Sequence, residues 1–183
     1  MRRTLPTTAL ALLLFGACGD EAPARADGAG TSSAGVSGIP TAPALGGASL
    51  PGVELRRLDT GASVRFSDLA GRPAVVNLWF STCVPCKQEM PAFEEVHRSL
   101  GDTVRFVGVN TGEGASPARR FLAEQVTVTY EQWHDPQADV AMTLRIPSFP
   151  ATLFVGADGR LRTTHYGALS AERLRSLIEE LTR

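Results

Sequence analysis

The chain has 183 residues and a mass of 19.4 kDa, with 43 % hydrophobic residues, 20 % charged residues and a formal net charge of −1. This composition excludes a disordered chain, a collagen-like chain and a small disulfide-rich protein. The near-neutral charge also argues against nucleic acid as a partner, because a phosphate backbone requires a basic patch. The three cysteines are an odd number, so at least one of them does not pair within the chain.

Residues 1–18 have the features of a secretory signal peptide. Arg2 and Arg3 form the positive start, a short apolar run spans residues 9–15, and small residues lead into Cys18. The uncharged stretch is too short for a membrane-spanning helix. The run that ends in Cys18 resembles a bacterial lipobox, which implies lipidation of Cys18 and a protein anchored in the bacterial cell envelope, facing the periplasm. The alternative is a plain signal peptide with an incidental cysteine.

Residues 19–52 have the composition of a flexible tether. From Ala22 to Gly52, 25 of the 31 residues are Gly, Ala, Ser, Thr or Pro. Such a segment cannot bury enough apolar surface to offset the entropy of ordering it. As a flexible coil it would span roughly 30 Å between its ends. We therefore expect one folded domain over residues 53–183, held near a membrane by this tether.

The first half of the domain alternates predicted strands with predicted helices. Residues 53–58 and 63–66 flank a turn signal and predict a hairpin. Residues 74–80 are almost continuously apolar, as expected for a strand that is buried on both faces. Apolar residues at helical spacing follow in residues 90–100, and residues 104–109 predict a second buried strand.

The second half continues the alternation. Ser116-Pro117 and Asp135-Pro136 each predict a helix start, with the polar side chain at the N-cap and proline at the first helical position. Residues 151–155 and 160–166 predict two strands joined by a hairpin turn, and Ser170 predicts the N-cap of a last helix. The predicted order, ββ–βαβα–α–ββα, indicates an α/β fold with a mixed central sheet and helices on both faces.

A Cys-x-x-Cys motif, Cys83 to Cys86, lies between the buried strand and the helix that follows it. This position places Cys83 beside unpaired backbone N–H groups and the positive end of the helix dipole, which favour the nucleophilic thiolate. Cys86 lies one turn later, close enough to attack a mixed disulfide on Cys83. Pro85 fits the first helical turn, where its missing N–H costs nothing. The motif in this setting predicts thiol–disulfide redox chemistry.

Three other uses of the two cysteines compete with redox chemistry. A structural zinc site needs four ligands, whereas the sequence has no second cysteine pair and its three histidines are scattered. A permanent structural disulfide over so short a loop would restrict the unfolded chain very little. Copper carriage by the thiolates of Cys83 and Cys86 is chemically reasonable and stays open. We expect no metal and no cofactor other than a redox-active disulfide between these two residues.

The stretch from Trp79 to Pro91 resembles the active site of the thioredoxin superfamily. More closely it resembles that of the membrane-tethered extracytoplasmic reductases of the TlpA and ResA type. The resemblance covers residues 53–183 and implies a thioredoxin-like three-layer fold with an added N-terminal β-hairpin. It also implies that Trp79, Pro85 and Pro91 support the active site, with Pro91 matching the proline that kinks the active-site helix.

A second stretch, residues 146–155, resembles the family's loop that carries a cis-proline before a strand. The match implies that Pro150 is the cis-proline and that the backbone at Phe149 pairs with the substrate chain. Thioredoxin has a buried Asp at the position of Asn77, whereas ResA-like proteins have a Glu at the position of Glu89. Glu89 is therefore the candidate acid–base group for the two thiols. The alternative for Glu89 is an ordinary exposed helix residue.

The predicted function is that of a lipid-anchored thiol–disulfide reductase acting on extracytoplasmic proteins. Val84 and Pro85 supply neither a charge nor a hydrogen bond to a sulfur atom, which favours the reducing side of the family. Lys87, the one lysine of the sequence, is expected to be a solvated surface charge. The resemblance implies a membrane thiol carrier as electron donor and apocytochrome c as a client, and no segment indicates anything beyond a monomer. A thiol oxidase or isomerase of the same fold is the enzymatic alternative.

Overall fold

A computed structural model describes residues 47–183. The strands are β1 (Glu54–Arg57), β2 (Ser63–Arg65), β3 (Ala74–Trp79), β4 (Arg105–Thr111), β5 (Glu131–Asp135), β6 (Ala151–Val155) and β7 (Leu161–Tyr166). The helices are α1 (Val84–Leu100), α2 (Ala115–Glu124), α3 (Asp139–Thr143) and α4 (Ala171–Thr182), with a 3-10 helix at Phe66–Leu69. The seven strands form one sheet in the order β2-β1-β5-β4-β3-β6-β7.

The central part of the sheet is built around β3. All six residues of β3 are buried, which explains why its sequence is almost continuously apolar. It pairs in parallel with β4 and antiparallel with β6, so the prediction of a mixed sheet is confirmed. The predicted N-terminal hairpin is also present, because β1 and β2 pair antiparallel.

Side chains from both faces of the sheet are covered. On one face, Val75 and Phe154 pack with side chains of α1 and α4. On the other face, Val76 and Leu153 pack with side chains of α3 and of the 3-10 helix. The predicted arrangement of three layers, with the sheet between helices, is therefore confirmed.

One strand of the sheet, β5, was not predicted. It pairs in parallel with β4 and antiparallel with β1. Only Trp133 and Asp135 of its five residues are buried, and its sequence Glu-Gln-Trp-His-Asp has one apolar side chain. The predicted element order is wrong here because backbone pairing with two neighbours, rather than apolar alternation, defines this strand.

The predicted start of α2 is wrong. The helix begins at Ala115 with Gly114 as its N-cap, so Ser116 lies inside the first turn and does not cap it. The chain leaves β4 through a short loop, and the backbone has already turned helical before Ser116. The predicted cap of α4 is confirmed, because the hydroxyl of Ser170 accepts a hydrogen bond from the N–H of Arg173 at 3.2 Å.

The predicted start of α3 is also wrong. Asp135 is the last residue of β5, and the helix begins at Asp139 with Ala138 as its N-cap. The Asp135 carboxylate nevertheless accepts hydrogen bonds from the N–H groups of Asp139 and Val140, at 2.9 and 3.0 Å. The residue therefore satisfies the first turn of α3 from the end of the preceding strand.

The folded part of the chain begins earlier than predicted. Leu50 is only 9 % exposed and packs in the core, and the Gly47 N–H donates a hydrogen bond to the Leu161 carbonyl at 2.7 Å. The predicted tether is therefore wrong over residues 47–52, because this segment docks on the sheet. Its remaining part and the predicted signal peptide over residues 1–18 lie outside the described residues. Within the part that is described, no helix combines the length and apolar character that crossing a membrane requires.

We expect Leu50→Ala to lower the free energy of unfolding by about 2–3 kcal/mol, because truncation of a buried leucine loses apolar burial and leaves a cavity. Met142→Ala is the matched control, since the Met142 side chain is 61 % exposed. It should change the free energy by about 0.5 kcal/mol or less. Urea denaturation followed by circular dichroism measures both. An equal, small effect of the two substitutions would contradict the docking of residues 47–52.

Candidate active site

Two cysteines lie where β3 passes into α1. Cys83 is the N-cap of α1 and Cys86 lies in the first turn. The two form a disulfide, with their Cα atoms 5.2 Å apart. Sγ of Cys83 accepts a hydrogen bond from the backbone N–H of Cys86 at 3.2 Å. Cys83 is 5 % exposed and Cys86 is fully buried, so Cys83 offers the sulfur nearer to solvent, at the end of the helix that favours a thiolate.

The two predicted supporting prolines both lie in α1. Pro85 is in the first turn, where no intrahelical donor is lost. Pro91 lies inside the helix, which continues through it from Val84 to Leu100, and its ring nitrogen has no hydrogen to donate to the Lys87 carbonyl. The Lys87 ammonium is exposed and donates to Gln125 at 2.9 Å. The prediction of a surface charge at Lys87 is confirmed.

Aromatic side chains surround the two cysteines. Trp79 is buried in one hydrophobic cluster with Cys83 and Cys86. Its Nε1 donates a hydrogen bond to Oε1 of Gln132 at 3.1 Å, and its ring centroid lies 5.2 Å from that of Phe121. Phe149 also packs against this cluster and meets Phe80 edge to face, with the ring centroids 5.4 Å apart. Two of the predicted site residues, Trp79 and Phe149, are thus brought to the disulfide.

The loop before β6 has the predicted cis peptide bond, between Phe149 and Pro150. β6 begins at Ala151, which pairs with Leu78 near the end of β3. The loop therefore lies at the same edge of the sheet as the junction of β3 and α1. The structure brings Phe149 against the cluster that contains the disulfide, although Phe149 follows Cys86 by more than 60 residues in sequence.

Glu89 is buried between α1 and the sheet, with only 2 % of its surface exposed. Its Oε1 accepts a hydrogen bond from Nδ2 of Asn77 at 2.7 Å, and its Oε2 accepts one from the N–H of Leu169 at 3.0 Å. Burial raises the pKa of Glu89 to about 7, and the two hydrogen bonds offset only part of that effect. The alternative of an ordinary exposed residue is therefore wrong. A carboxyl group with such a pKa can both take up and release a proton near neutrality.

Glu113 is a site residue that the sequence analysis missed. Its carboxylate accepts hydrogen bonds from the N–H and the hydroxyl of Ser81, at 2.7 and 2.5 Å, and from Nδ2 of Asn110 at 2.5 Å. Ser81 lies two residues before Cys83, so Glu113 ties the loop that carries the nucleophile to the end of β4. No sequence signal marks this contact, because Ser81 and Glu113 belong to different loops, 32 residues apart.

Metal ligands do not gather in the described part of the chain. No group of three or more His, Cys, Asp or Glu side chains within residues 47–183 could hold a metal ion. The predicted lipidation site, Cys18, lies outside the described residues.

Comparisons with known proteins agree with this geometry. The model of the AhpC/TSA family matches residues 47–164. The chain is 26 % identical to the thiol-disulfide oxidoreductase ResA of Oceanobacillus iheyensis over 66 % of its own length, and spans 62 % of the length of that relative. It is 30 % identical to the thiol:disulfide interchange protein HelX of Rhodobacter capsulatus, covering 78 % of this chain and 79 % of HelX.

The fold also matches a solved structure. The DsbF homologue of Corynebacterium diphtheriae superposes with a TM-score of 0.64 at 26 % identity, covering 74 % of this chain and 87 % of that one. The expected thioredoxin-like fold is therefore confirmed. The family match spans well over half of the residues, and the chain belongs to the AhpC/TSA family.

The buried carboxyl predicts a pH-dependent loss of stability. Glu89 stays protonated in the folded protein up to its pKa of about 7 but ionises near 4.5 when unfolded. Glu89 therefore does not lower the free energy of unfolding below pH 4.5, and it lowers that free energy increasingly as the pH rises from 4.5 toward 7. As the pH rises from 4 to 8, the free energy of unfolding of Glu89→Gln should increase by about 3 kcal/mol relative to that of the wild type. Both proteins are compared in the oxidised form.

Denaturant titrations at several pH values measure this difference. Glu124→Gln is the matched control, because Glu124 is an exposed helical glutamate of α2. For the control the difference from the wild type should stay nearly constant over the same range. A constant difference for Glu89→Gln as well would show that the buried carboxyl does not have a raised pKa.

Proposed function

We propose that this member of the AhpC/TSA family is a thiol–disulfide oxidoreductase that reduces disulfides of extracytoplasmic proteins. The observation that carries the proposal is the disulfide between Cys83 and Cys86 at the N-terminus of α1. The names of the relatives ResA and HelX describe the same kind of chemistry. The buried carboxyl of Glu89, on the same helix, supplies the group that the proton transfers need.

The first step uses the reduced protein. The Cys83 thiolate attacks one sulfur of the client disulfide, so that a bond between Cys83 and the client forms while the client's own S–S bond breaks. The other client sulfur leaves as a thiolate and takes a proton from solvent. The N–H of Cys86 and the positive end of α1 stabilise the Cys83 thiolate before the attack.

The second step releases the client. The Glu89 carboxylate takes the proton of the Cys86 thiol, and the Cys86 thiolate attacks the sulfur of Cys83. The bond between Cys83 and the client breaks, and the departing client thiolate receives the proton from Glu89. The client has then gained two electrons and the protein has lost them. A thiol donor must return two electrons to the Cys83–Cys86 disulfide before the next cycle.

The direction toward reduction follows from weak stabilisation of the thiolate. A strongly oxidising member of the family must stabilise its reduced form well beyond the stabilisation that this site gives to the Cys83 thiolate. Val84 and Pro85 between the cysteines carry no charge and no donor for a sulfur, and the Lys87 ammonium is bonded to Gln125. An ionised Glu89 on the same helix adds negative charge to the site. These features favour the disulfide form and therefore the reducing side of the family.

The partners and the location belong to the same proposal. Phe149 packs against the cluster that contains the cysteines and Pro150 follows it, so their loop would hold the client chain. The signal-like residues 1–18 and the lipobox-like run that ends in Cys18 support a lipid anchor in the bacterial cell envelope, facing the periplasm. A membrane thiol carrier would then be the electron donor, and apocytochrome c is the first client to test.

A thiol-trapping redox titration tests the direction of electron flow. In the full-length chain with Cys18→Ser, we expect a reversible two-electron couple more reducing than about −220 mV. A couple near about −120 mV would make the protein an oxidant instead. If no reversible couple exists and the two thiols bind one Cu(I) tightly, the protein is a copper carrier and not an oxidoreductase.

Trapping of mixed disulfides tests the roles of the two cysteines. Cys86→Ser leaves the attacking thiol and removes the resolving one, so client proteins should stay covalently bound to Cys83. Cys83→Ser should trap none, because Cys86 is fully buried. Non-reducing electrophoresis of envelope extracts measures both variants. Trapping by Cys83→Ser alone would reverse the assigned roles.

The membrane anchor has its own test. Radiolabelled palmitate should be incorporated into the wild-type protein expressed in a bacterium, and Cys18→Ser should abolish the label and release the protein from the membrane fraction. Alanine in place of Ser49, in the docked segment, is the control that should keep the label. Unchanged labelling of Cys18→Ser would contradict the lipid anchor.

A further inference from the structure

The side-chain amide of Asn77 is only half satisfied. Asn77 is buried in the middle of β3, and its Nδ2 donates to Oε1 of Glu89 at 2.7 Å. Its Oδ1 is also buried, yet has no hydrogen-bond partner within residues 47–183. A buried polar atom without a partner is unfavourable, and native structures contain few of them. In this orientation the amide offers Glu89 a donor and no acceptor.

This orientation matches the ionised state of Glu89. Oε2 of Glu89 faces the N–H of Leu169, which can only donate. Oε1 faces Nδ2 of Asn77, which also can only donate. A carboxylate accepts both hydrogen bonds. When the carboxyl is protonated, one of its oxygens carries a hydrogen that needs an acceptor. The backbone N–H of Leu169 cannot turn away from Oε2, whereas the side chain of Asn77 can turn, so we place the hydrogen on Oε1. It would then point at the two hydrogens of Nδ2.

The conflict disappears when the Asn77 amide turns over. Half a turn about the Cβ–Cγ bond brings Oδ1 to the position of Nδ2, where it accepts the hydrogen on Oε1. The backbone of Asn77 does not have to move, because β3 is held by Gly108 of β4 on one side and Thr152 of β6 on the other. Each orientation leaves one end of the amide without a partner, Oδ1 in the ionised state and Nδ2 in the protonated state, so the two orientations differ in what they offer to Glu89.

We propose that Asn77 is the positioning residue of the acid–base group, and that its amide turns over each time Glu89 gains or loses its proton. Asn77 then hydrogen-bonds to the buried carboxyl in both of its charge states, so that Glu89 can both gain and lose its proton. The relevance of this switch to catalysis rests on the proposed function, since Glu89 there exchanges its proton with the Cys86 thiol. The switch itself concerns only Asn77 and Glu89.

Other groups near Glu89 do not replace Asn77. Cys86 precedes Glu89 by one turn of α1, and in the oxidised protein its sulfur does not titrate. Tyr130 is buried, and both its burial and the negative charge of Glu89 raise the pKa of its hydroxyl, so that it stays neutral. Leu169 contributes a backbone N–H that donates in either charge state. Among the described side chains, only that of Asn77 hydrogen-bonds to Glu89.

Two NMR titrations of the oxidised, full-length protein test the proposal. The carboxyl ¹³C resonance of Glu89 reports its protonation, and NOEs from the Asn77 side-chain N–H hydrogens to the CH₂ hydrogens of Glu89 report the orientation of the amide. In the wild type the two should change with the same midpoint, near pH 7. In Glu89→Gln the Asn77 NOE pattern should not change over that range, because the glutamine amide has one fixed donor and one fixed acceptor.

Asn77→Leu removes the amide at nearly constant volume. The substitution removes a hydrogen bond from both charge states of Glu89. Because the bond to the charged form is the stronger one, the midpoint of Glu89 should rise by about half to one pH unit. Asn77→Asp, which places a second carboxyl group 2.7 Å from the first, should raise one midpoint of the pair further. Thr152→Val is the matched control: Thr152 is buried opposite Asn77, and its hydroxyl has no partner among the described residues. It should leave the midpoint within a few tenths of a unit.

The outcomes separate this inference from the proposed function. An Asn77 NOE pattern that stays constant while Glu89 titrates would overturn the switch even if disulfide exchange is fast. An Asn77→Leu midpoint equal to that of Thr152→Val would do the same. If Asn77→Leu does not fold, the linked titration in the wild type still decides. A linked titration in a protein without any reversible dithiol couple would refute the proposed function and leave the switch standing.

Discussion

The position of α1 on β3 is the constraint on which the site depends. Cys83 is the N-cap of α1, and Glu89 lies in the second turn. The Glu89 carboxyl group accepts hydrogen bonds from the side chain of Asn77 in β3 and from the backbone N–H of Leu169, which precedes α4. One buried carboxyl therefore joins the active-site helix, the central strand and the start of the C-terminal helix. Because these three elements meet at Glu89, the sulfur atoms at the head of α1 have a defined place relative to the sheet.

Two opposite electrostatic effects act within that helix. At its N-terminus, the Cys86 N–H and the helix dipole favour negative charge on Cys83. One turn beyond Cys86, burial disfavours negative charge on Glu89 and brings its pKa to about 7. A thiol and a carboxyl whose proton affinities lie closer than their ordinary values can exchange a proton at little free-energy cost. The helix thus separates the site into one position that attracts charge and one that resists it.

The rest of the site comes from elements that end or begin at one edge of the sheet. β3 and β4 run in parallel, so the Ser81 loop and Glu113 both leave the sheet at this edge, and the carboxylate of Glu113 links them. β6 runs antiparallel to β3 and begins where β3 ends, which brings the loop of Phe149 and Pro150 to the same edge of the sheet as the disulfide. The mixed direction of the strands, rather than closeness in sequence, assembles the site.

The sequence by itself determined the local elements and the chemistry. The apolar run of β3, the Cys-x-x-Cys at the start of α1 and the Ser170 cap of α4 are all encoded within a few neighbouring residues, and each agrees with the structure. The resemblance of the stretches around Cys83 and Pro150 to a known family extended this to the fold and to Glu89. Such features are predictable because their physical cause, a periodic apolar face or a cap, is local.

Only the tertiary structure decided the features whose causes are distant in sequence. β5 is polar and exists because β4 and β1 supply its backbone partners, and residues 47–50 are ordered because β7 and the core accept them. Glu113 and the pairing of Asn77 with Glu89 depend on loops and strands that meet only after folding. A local sequence pattern indicates which secondary structure a segment can form. The burial of its side chains, their hydrogen-bond partners and their pKa values depend on what the rest of the chain packs against that segment.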